Sequence, residues 1–279
     1  MPDNARQKSQ SELFRKMHHG KLLLLPNAWD VASARIIEDC GFGAIATTSA
    51  GVAFSMGYPD GQRISRQEML AAIRRIASAV QVPVTADVEA GYGDRPEDAA
   101  VTARGVIDTG GVGINLEDRT GDTENPLVNL SLQIEKIQAV IEEARRARVP
   151  IVLNARTDVY LCQVGPPENR YELALKRLVA FRDAGADCLF IPGIGDPETI
   201  RRFIVDLRHP INILAGPGSP PVAELANLGV ARVSLGSGPM RATLGFLRRM
   251  AEELKNSGTY SALEGAPSHA EVNRMMENE

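Results

Sequence analysis

Residues 84–118, VTADVEAGYGDRPEDAAVTARGVIDTGGVGINLED, read as one strand–helix–strand unit. Val84–Asp87 is a short run without the alternation of a half-exposed strand, the pattern of a parallel strand covered on both faces. The stretch Pro96–Thr109 has helical period, with Pro96 at its first turn and Gly110 after its last. Gly113–Leu116 is the next apolar run. The unit repeats outward in both directions. Further strands are predicted at Leu22–Leu25, Ala44–Thr47, Ile151–Asn154, Cys188–Ile191, Ile211–Leu214 and Arg232–Leu235. Further helices are predicted at Val31–Asp39, Arg66–Ala79, Leu132–Ala147, Tyr171–Asp183, Pro197–Leu207, Pro221–Leu228 and Arg241–Leu254. Eight strands alternating with eight helices give the α/β class and a (β/α)8 barrel of the TIM type. An open doubly wound sheet competes, and the count of eight favours the barrel. Residues 1–255 form one catalytic barrel domain in this reading, with a helix near Ser9–His18 capping its bottom. Residues 256–279 form a polar tail with a weak helix at Ala270–Met276, expected to serve oligomerisation.

Composition narrows the class of protein. The chain has 279 residues, 44% hydrophobic and 24% charged, enough for one large core. Thirty-one basic against 35 acidic residues leave a net charge of −4 without long runs of one sign. Nucleic-acid and membrane-surface partners are therefore not expected. No apolar run approaches the roughly 20 residues of a membrane span. Met1–Gln10 is polar, unlike a secretory leader. Cys40, Cys162 and Cys188 are too few and too scattered for a disulfide framework or a CxxC metal site. The expected location is the cytoplasm.

The chemistry of a barrel of this kind gathers at the C-terminal ends of its strands. There the sequence places Thr47-Thr48-Ser49-Ala50-Gly51, Tyr58-Pro59-Asp60-Gly61, Asp87-Val88-Glu89-Ala90-Gly91-Tyr92-Gly93, Asn115-Leu116-Glu117-Asp118 and Asn154-Ala155-Arg156-Thr157-Asp158. Clustered carboxylates repel unless a cation sits among them. Oxygen ligands without His or Cys suit Mg2+ or Mn2+. Asp87 is the leading ligand, with Glu89 and Glu117 close behind, directly or through water. Arg156 can hold a carboxylate or phosphonate in its two-pronged grip. Gly236-Ser237-Gly238, between the eighth strand and its helix, offers an anion cradle around Ser237 or a plain turn. Asp30, Asp94 and Asp196 are read as helix caps. None of the six lysines sits at a strand's end, and the four histidines fall at the N-terminus, the barrel bottom or the tail. Schiff-base, imidazole and zinc chemistry are thereby disfavoured.

The five quoted motifs, in that order and spacing, resemble the isocitrate lyase/phosphoenolpyruvate mutase family. The resemblance implies a Mg2+-dependent enzyme acting on a small 2-oxo or 2-hydroxy carboxylate, and a homotetramer built as a dimer of dimers. It implies that Thr48, Ser49 and Ala50 bind the substrate through backbone amides, and that Asn154 also lies among the substrate-binding residues. It gives catalytic roles to Asp60, Arg156 and Glu117. The family's metal-binding Asp-x-Asp pair is Asp87 and Glu89 here. Two departures stand out. The loop after the fourth strand, Arg119-Thr120-Gly121-Asp122-Thr123-Glu124-Asn125, lacks the cysteine of the C–C lyases. Where those lyases carry a glutamate after the sixth strand, this chain has Ile191-Pro192-Gly193. The expected function is cleavage of a C–C bond in an oxaloacetate-, alkylmalate- or methylisocitrate-like acid through an enolpyruvate intermediate. The alternatives are phosphonopyruvate hydrolysis or phosphonate mutase chemistry, and, in another class, a barrel that binds a metabolite without turnover.

Overall fold

The structure, a computed structural model, describes residues 4–277; positions 1–3 and 278–279 of the expected barrel and tail lie outside this range. In chain order the elements are α1 (Asn4–Met17), β1 (Leu23–Leu25), β2 (Asn27–Ala28), α2 (Val31–Asp39), β3 (Ile45–Thr47), α3 (Ser49–Ser55), α4 (Arg66–Ala79) and β4 (Val84–Asp87). Next come α5 (Pro96–Asp108), β5 (Gly113–Glu117), α6 (Leu130–Ala147), β6 (Val152–Arg156), α7 (Arg170–Asp183), β7 (Cys188–Phe190) and α8 (Pro197–Leu207). The chain finishes with β8 (Ile211–Leu214), α9 (Val222–Leu228), β9 (Arg232–Ser234), α10 (Gly238–Ser257) and α11 (His269–Met276). All strand pairs are parallel, in the order β1-β9-β8-β7-β6-β5-β4-β3-β2. This is the expected (β/α)8 barrel.

Nine strands stand where eight runs are predicted because the first strand continues past the predicted Leu22–Leu25 run to Ala28 and Pro26 divides it. Proline has no backbone N–H to give to a ladder. Leu23–Leu25 therefore pairs with β9 and Asn27–Ala28 with β3, while the Pro26 carbonyl accepts Ala46 N at 3.0 Å. The predicted boundaries of α2, α4, α8, β4 and β8 coincide with those observed. Helix α3 is a departure, because Thr48–Ser55 reads as loop from its small residues. Thr48 caps it, accepting Gly51 N at 3.3 Å. Asp30 and Asp196 cap α2 and α8 as expected. Asp94 does not cap α5: Arg95 takes that position, and Asp98 reaches back to its N–H at 3.2 Å.

The main core lies between the strands and the surrounding helices, where Val106, Leu116, Ile137, Leu153, Phe181 and Phe203 are buried. A second cluster closes the barrel bottom. There Phe14 of α1 inserts among Leu23, Leu25, Ala44, Ala46, Val112 and Val152. Burying a phenylalanine in this way stabilises by about 1.5–3 kcal/mol. The close fit requires Gly113, where a Cβ would come within 2.6 Å of Thr85 Oγ1 and 3.0 Å of the Phe14 ring. With the bottom plugged, a cavity inside the barrel opens only toward the C-terminal ends of the strands.

The tail does not lie free: α11 rests on α2, and Arg35 Nη1 donates to the Met275 carbonyl at 3.3 Å. Helix α10 buries Met240 but leaves Leu244, Phe246, Leu247 and Leu254 exposed. No helix among the described residues is long and apolar enough to cross a membrane.

Candidate active site

At the C-terminal ends of the strands lies a cavity of about 220 Å3, below the usual size of drug-sized ligand pockets. Its lining includes Thr48, Ser49, Ala50, Asp60, Asp87, Arg156 and Ser237, seven of the residues singled out in the sequence. Glu89, Glu117 and Asn154 stand just outside the lining. A larger hollow of about 480 Å3 lies at the opposite end, between α1 and α6. It holds a single carboxylate, Asp187, and lacks the site's chemistry.

Strand register builds the centre of the site. Asp87, Asn115 and Asn154 occupy paired positions on β4, β5 and β6. Inward-facing neighbours on adjacent strands come within hydrogen-bonding reach. Asn154 Nδ2 donates to Asn115 Oδ1 at 2.9 Å, and Asn115 Nδ2 donates to Asp87 Oδ1 at 2.8 Å. Asp87 Oδ2 accepts the Ser49 amide at 3.0 Å and the Ser49 hydroxyl at 2.7 Å. The Ser49 amide, expected to face substrate, is thus spent on Asp87. Asn154 likewise acts through Asn115 rather than at the cavity wall.

One register step further, Glu117 pairs with Arg156 across β5 and β6, with Arg156 Nη1 2.8 Å from Glu117 Oε2. Asp158 takes the rest of the guanidinium, at 2.5 Å from Nε and 2.8 Å from Nη2. Every nitrogen of Arg156 therefore has an internal carboxylate partner. Asp158 is itself held by Asp118, whose Oδ1 accepts Asp158 N at 2.9 Å. Asp118 also accepts Thr157 Oγ1 and Arg177 Nε, both at 2.6 Å.

Glu89 sits on a bent loop. Glu89, Gly91, Tyr92 and Gly93 all have positive φ, an arrangement that costs energy at the two non-glycine positions. The Glu89 carboxylate accepts the Gln62 amide at 2.5 Å and the Tyr92 hydroxyl at 3.2 Å. From α6, the buried Lys136 donates to the carbonyls of Ala90 at 3.1 Å and Gly93 at 2.8 Å, clamping this loop from beneath. Lys136 has no place in the chemistry, yet it holds the backbone that presents Glu89.

The electrostatics of the cluster are unbalanced. Burial pushes the Glu89 carboxyl up to about 7, and repulsion from Asp87 and Asp60 adds to it. Burial and Asp87 also raise Asp60, against a smaller opposing pull from Arg156. Burial holds Glu117 well above the usual carboxylate range despite Arg156. Among the described residues no three His, Cys, Asp or Glu side chains converge to form a metal cage. The donors are all oxygens, and Asp87 is central to the repulsion. That chemistry fits a hydrated hard cation touched by one or two carboxylates and reached by others through water.

Several lining residues carry no role in the sequence: Asn27, Thr85, Asn212, Arg232 and Arg241, and Asn115, which stands in a quoted motif without one. Asn27 Oδ1 accepts the amides of Leu235 and Gly236, both at 2.8 Å, and so shapes the turn that carries Ser237. Apart from Arg241 on α10, their signal is a polar side chain inside, or just after, a run otherwise apolar. Cys162, in the loop after β6, is half-buried; its neighbour Leu161 lines the cavity.

Comparison with known proteins gives the same picture. Residues 14–255 match the phosphoenolpyruvate phosphomutase family. A Burkholderia cenocepacia structure described as that of a lyase/mutase superposes with a TM-score of 0.92 at 38% identity, covering 98% of each chain. An uncharacterised Mycobacterium tuberculosis protein is 37% identical over 232 residues, 83% of this chain and 84% of the relative. A 2-methylisocitrate lyase of Salmonella typhimurium is 28% identical over 250 residues, 85% of this chain and 81% of its own. A phosphonopyruvate hydrolase solved with oxalate and Mg2+ has a TM-score of 0.83 at 26% identity, covering 95% and 94%.

Proposed function

Because the chain belongs to the phosphoenolpyruvate phosphomutase family, we propose that it is a Mg2+-dependent lyase cleaving a C–C bond of a small 2-oxo or 2-hydroxy carboxylate. The observation that carries this reading is the small cavity lined by Asp60 and Asp87 and backed by Glu89 and Glu117, four carboxylates whose burial and mutual repulsion call for a cation. Asp87 would hold Mg2+, with Glu89 and Glu117 acting through water. When bound, Mg2+ would supply positive charge beside the substrate's 2-oxygen, easing loss of a hydroxyl proton from a 2-hydroxy acid or withdrawing electrons from C2 of a 2-oxo acid.

The chain's own residues supply the rest. Ser49 and Asn115 fix the Asp87 carboxylate through three hydrogen bonds, so the ligand does not swing. Asp60 lines the cavity, and its raised basicity suits it to accept a proton from a 2-hydroxyl. As that proton leaves, the C–C bond breaks, its electron pair goes to the departing fragment, and a proton returned from Asp60 completes the products. Arg156, neutralised by Glu117 and Asp158, orients these carboxylates and offers its partly exposed edge to the cavity. The loop after β5, with Thr120 and Asp122 but without a cysteine, favours acids whose cleavage needs no thiol.

The exposed apolar side chains of α10 support assembly into a homotetramer. The test is pyruvate release from oxaloacetate, a 2-alkylmalate, methylisocitrate and phosphonopyruvate, with and without EDTA. EDTA-sensitive release from a carbon acid is expected. Release from phosphonopyruvate alone would overturn C–C cleavage in favour of P–C chemistry.

A further inference from the structure

Arg232 opens β9, paired with Leu23 of β1 and Asn212 of β8. Val233 points outward into the core, so Arg232 and Ser234 point into the barrel. The Ser234 hydroxyl is satisfied, accepting from Asn212 Nδ2 at 3.0 Å. Arg232, one layer deeper, is 2% exposed, and its Nε and Nη1 have no hydrogen-bond partner. The Phe14 ring lies 6.0 Å from its Cζ and offers only a weak cation–π contact. Thr85, also one inward position below the metal-binding layer, has an unpartnered buried hydroxyl as well. Both residues line the cavity beneath Asp87.

A buried guanidinium without a counter-charge is costly, and proteins ordinarily pair it or neutralise it. The other buried arginines here obey that rule: Arg156 meets Glu117 and Asp158, and Arg177 meets Asp118. Arg232 is the exception: it forms no ion pair among the described residues, and only the more distant Cys188 and Asp87 pull on it. Burial lowers its pKa to about 10, so it remains a cation at neutral pH. Arg241, the remaining arginine of the lining, is exposed, where solvent weakens its pull on an anion. With a carboxylate already on every nitrogen of Arg156, the desolvated cation with free valences on the cavity lining is Arg232.

We propose that Arg232, with the Thr85 hydroxyl beside the same floor, is the receptor for a second carboxylate of the substrate, making this site selective for dicarboxylic acids. The proposal rests on the carboxylate-lyase reading above and narrows its substrate class. A diacid places one carboxylate and its 2-oxygen near Asp87 and lowers the other onto the free edge of the guanidinium. A monocarboxylic acid leaves that charge unpaired, and so do the diacid's terminal amides.

The test is calorimetric binding to the whole chain in Mg2+, and again in EDTA, using malate, 2-methylmalate, their terminal amides, and oxalate. Wild type is expected to bind each diacid about ten-fold or more tightly than its amide, because an unmatched buried charge discriminates strongly. Arg232→Met is expected to erase that ratio to within about two-fold while oxalate affinity changes by less than about three-fold. Arg232→Lys should recover part of it. A wild-type ratio near one overturns the proposal without any variant, and so does an equal loss for all ligands in a folded Arg232→Met protein. Abolition of the ratio by millimolar chloride would identify a simple inorganic anion as the occupant and also overturn it. Oxalate binding indifferent to EDTA with the diacid ratio intact would sink the Mg2+ reading alone.

Discussion

Replacing Asp118 by asparagine should destabilise the protein far more than its distance from the cavity suggests. Asp118 is fully buried and accepts three donors: Asp158 N on Oδ1, and Thr157 Oγ1 and Arg177 Nε on Oδ2. Asparagine keeps the shape but has one acceptor oxygen. Either orientation turns its amide NH2 toward a buried donor, and Arg177, 6% exposed, loses its counter-charge. Breaking one side of a buried pair costs about 3–5 kcal/mol. For a chain of this length that is a fall in Tm on the order of 10 °C. The pair itself is a weak net stabiliser, since burial holds the Asp118 carboxyl above its ordinary range despite Arg177 and Thr157. Removing both charges, as in Asp118→Asn with Arg177→Met, should therefore recover most of the loss. Calorimetric unfolding of the wild type, single and double variants reads this directly. A single variant within 2 °C of wild type, or a double variant worse than the single, would refute the reasoning.

Other expectations follow from the same contacts. His18 is buried with its pKa lowered to about 3 by desolvation and nearby Arg232, so the folded state resists a proton that the unfolded chain accepts below 6.5. Its contribution is intact above that pH and falls as pH drops, by about 2 kcal/mol at pH 5; His18→Gln should flatten the Tm-versus-pH curve between pH 7 and 5, and an unchanged slope would dismiss the assignment. Lys136→Met strips two donors from the Ala90 and Gly93 carbonyls, for a loss of about 1–3 kcal/mol in denaturant unfolding, and faster amide exchange confined to the 88–93 loop should accompany it. Asp87→Ala should abolish EDTA-sensitive activity while the fold persists by circular dichroism; full activity in that variant rules Asp87 out as the metal ligand. Phe246→Asp with Leu247→Asp on α10 should lower the mass measured by light scattering, and an unaltered mass would move the interface elsewhere.

Much of this architecture is legible in the chain because its signals are local. Pro96 and Pro197 lie in first turns of helices, and Gly110, Gly185 and Gly229 follow last turns, so α5, α7, α8 and α9 are bounded by residues whose φ preferences act alone. Asp87 and Arg156 sit at strand ends and Asp60 in the loop that follows α3, and the barrel rule delivers all three to one mouth. The less legible parts depend on partners distant in sequence. Ser49 reads as a substrate-facing amide, but Asp87, 38 residues later, takes it. Glu89, Glu117 and Asn154 carry the right chemistry in the motif, while the register and loop bending decide that they stand behind the cavity wall.

The sequence by itself determined the repeating strand–helix order, the parallel barrel class and the concentration of carboxylates at one end, though not the split first strand or helix α3. These follow from apolar periodicity and cap chemistry, which need only neighbouring residues. Only the tertiary structure decided which charges are balanced. The chain marks Arg156 as the anion-binding arginine and gives no sign of Arg232, yet the fold gives Arg156 and Arg177 carboxylates and leaves Arg232 buried without an ion pair at the cavity floor. Charge balance is a property of distance and burial, and both are set where strands β5 to β9 close the barrel around residues far apart in the chain.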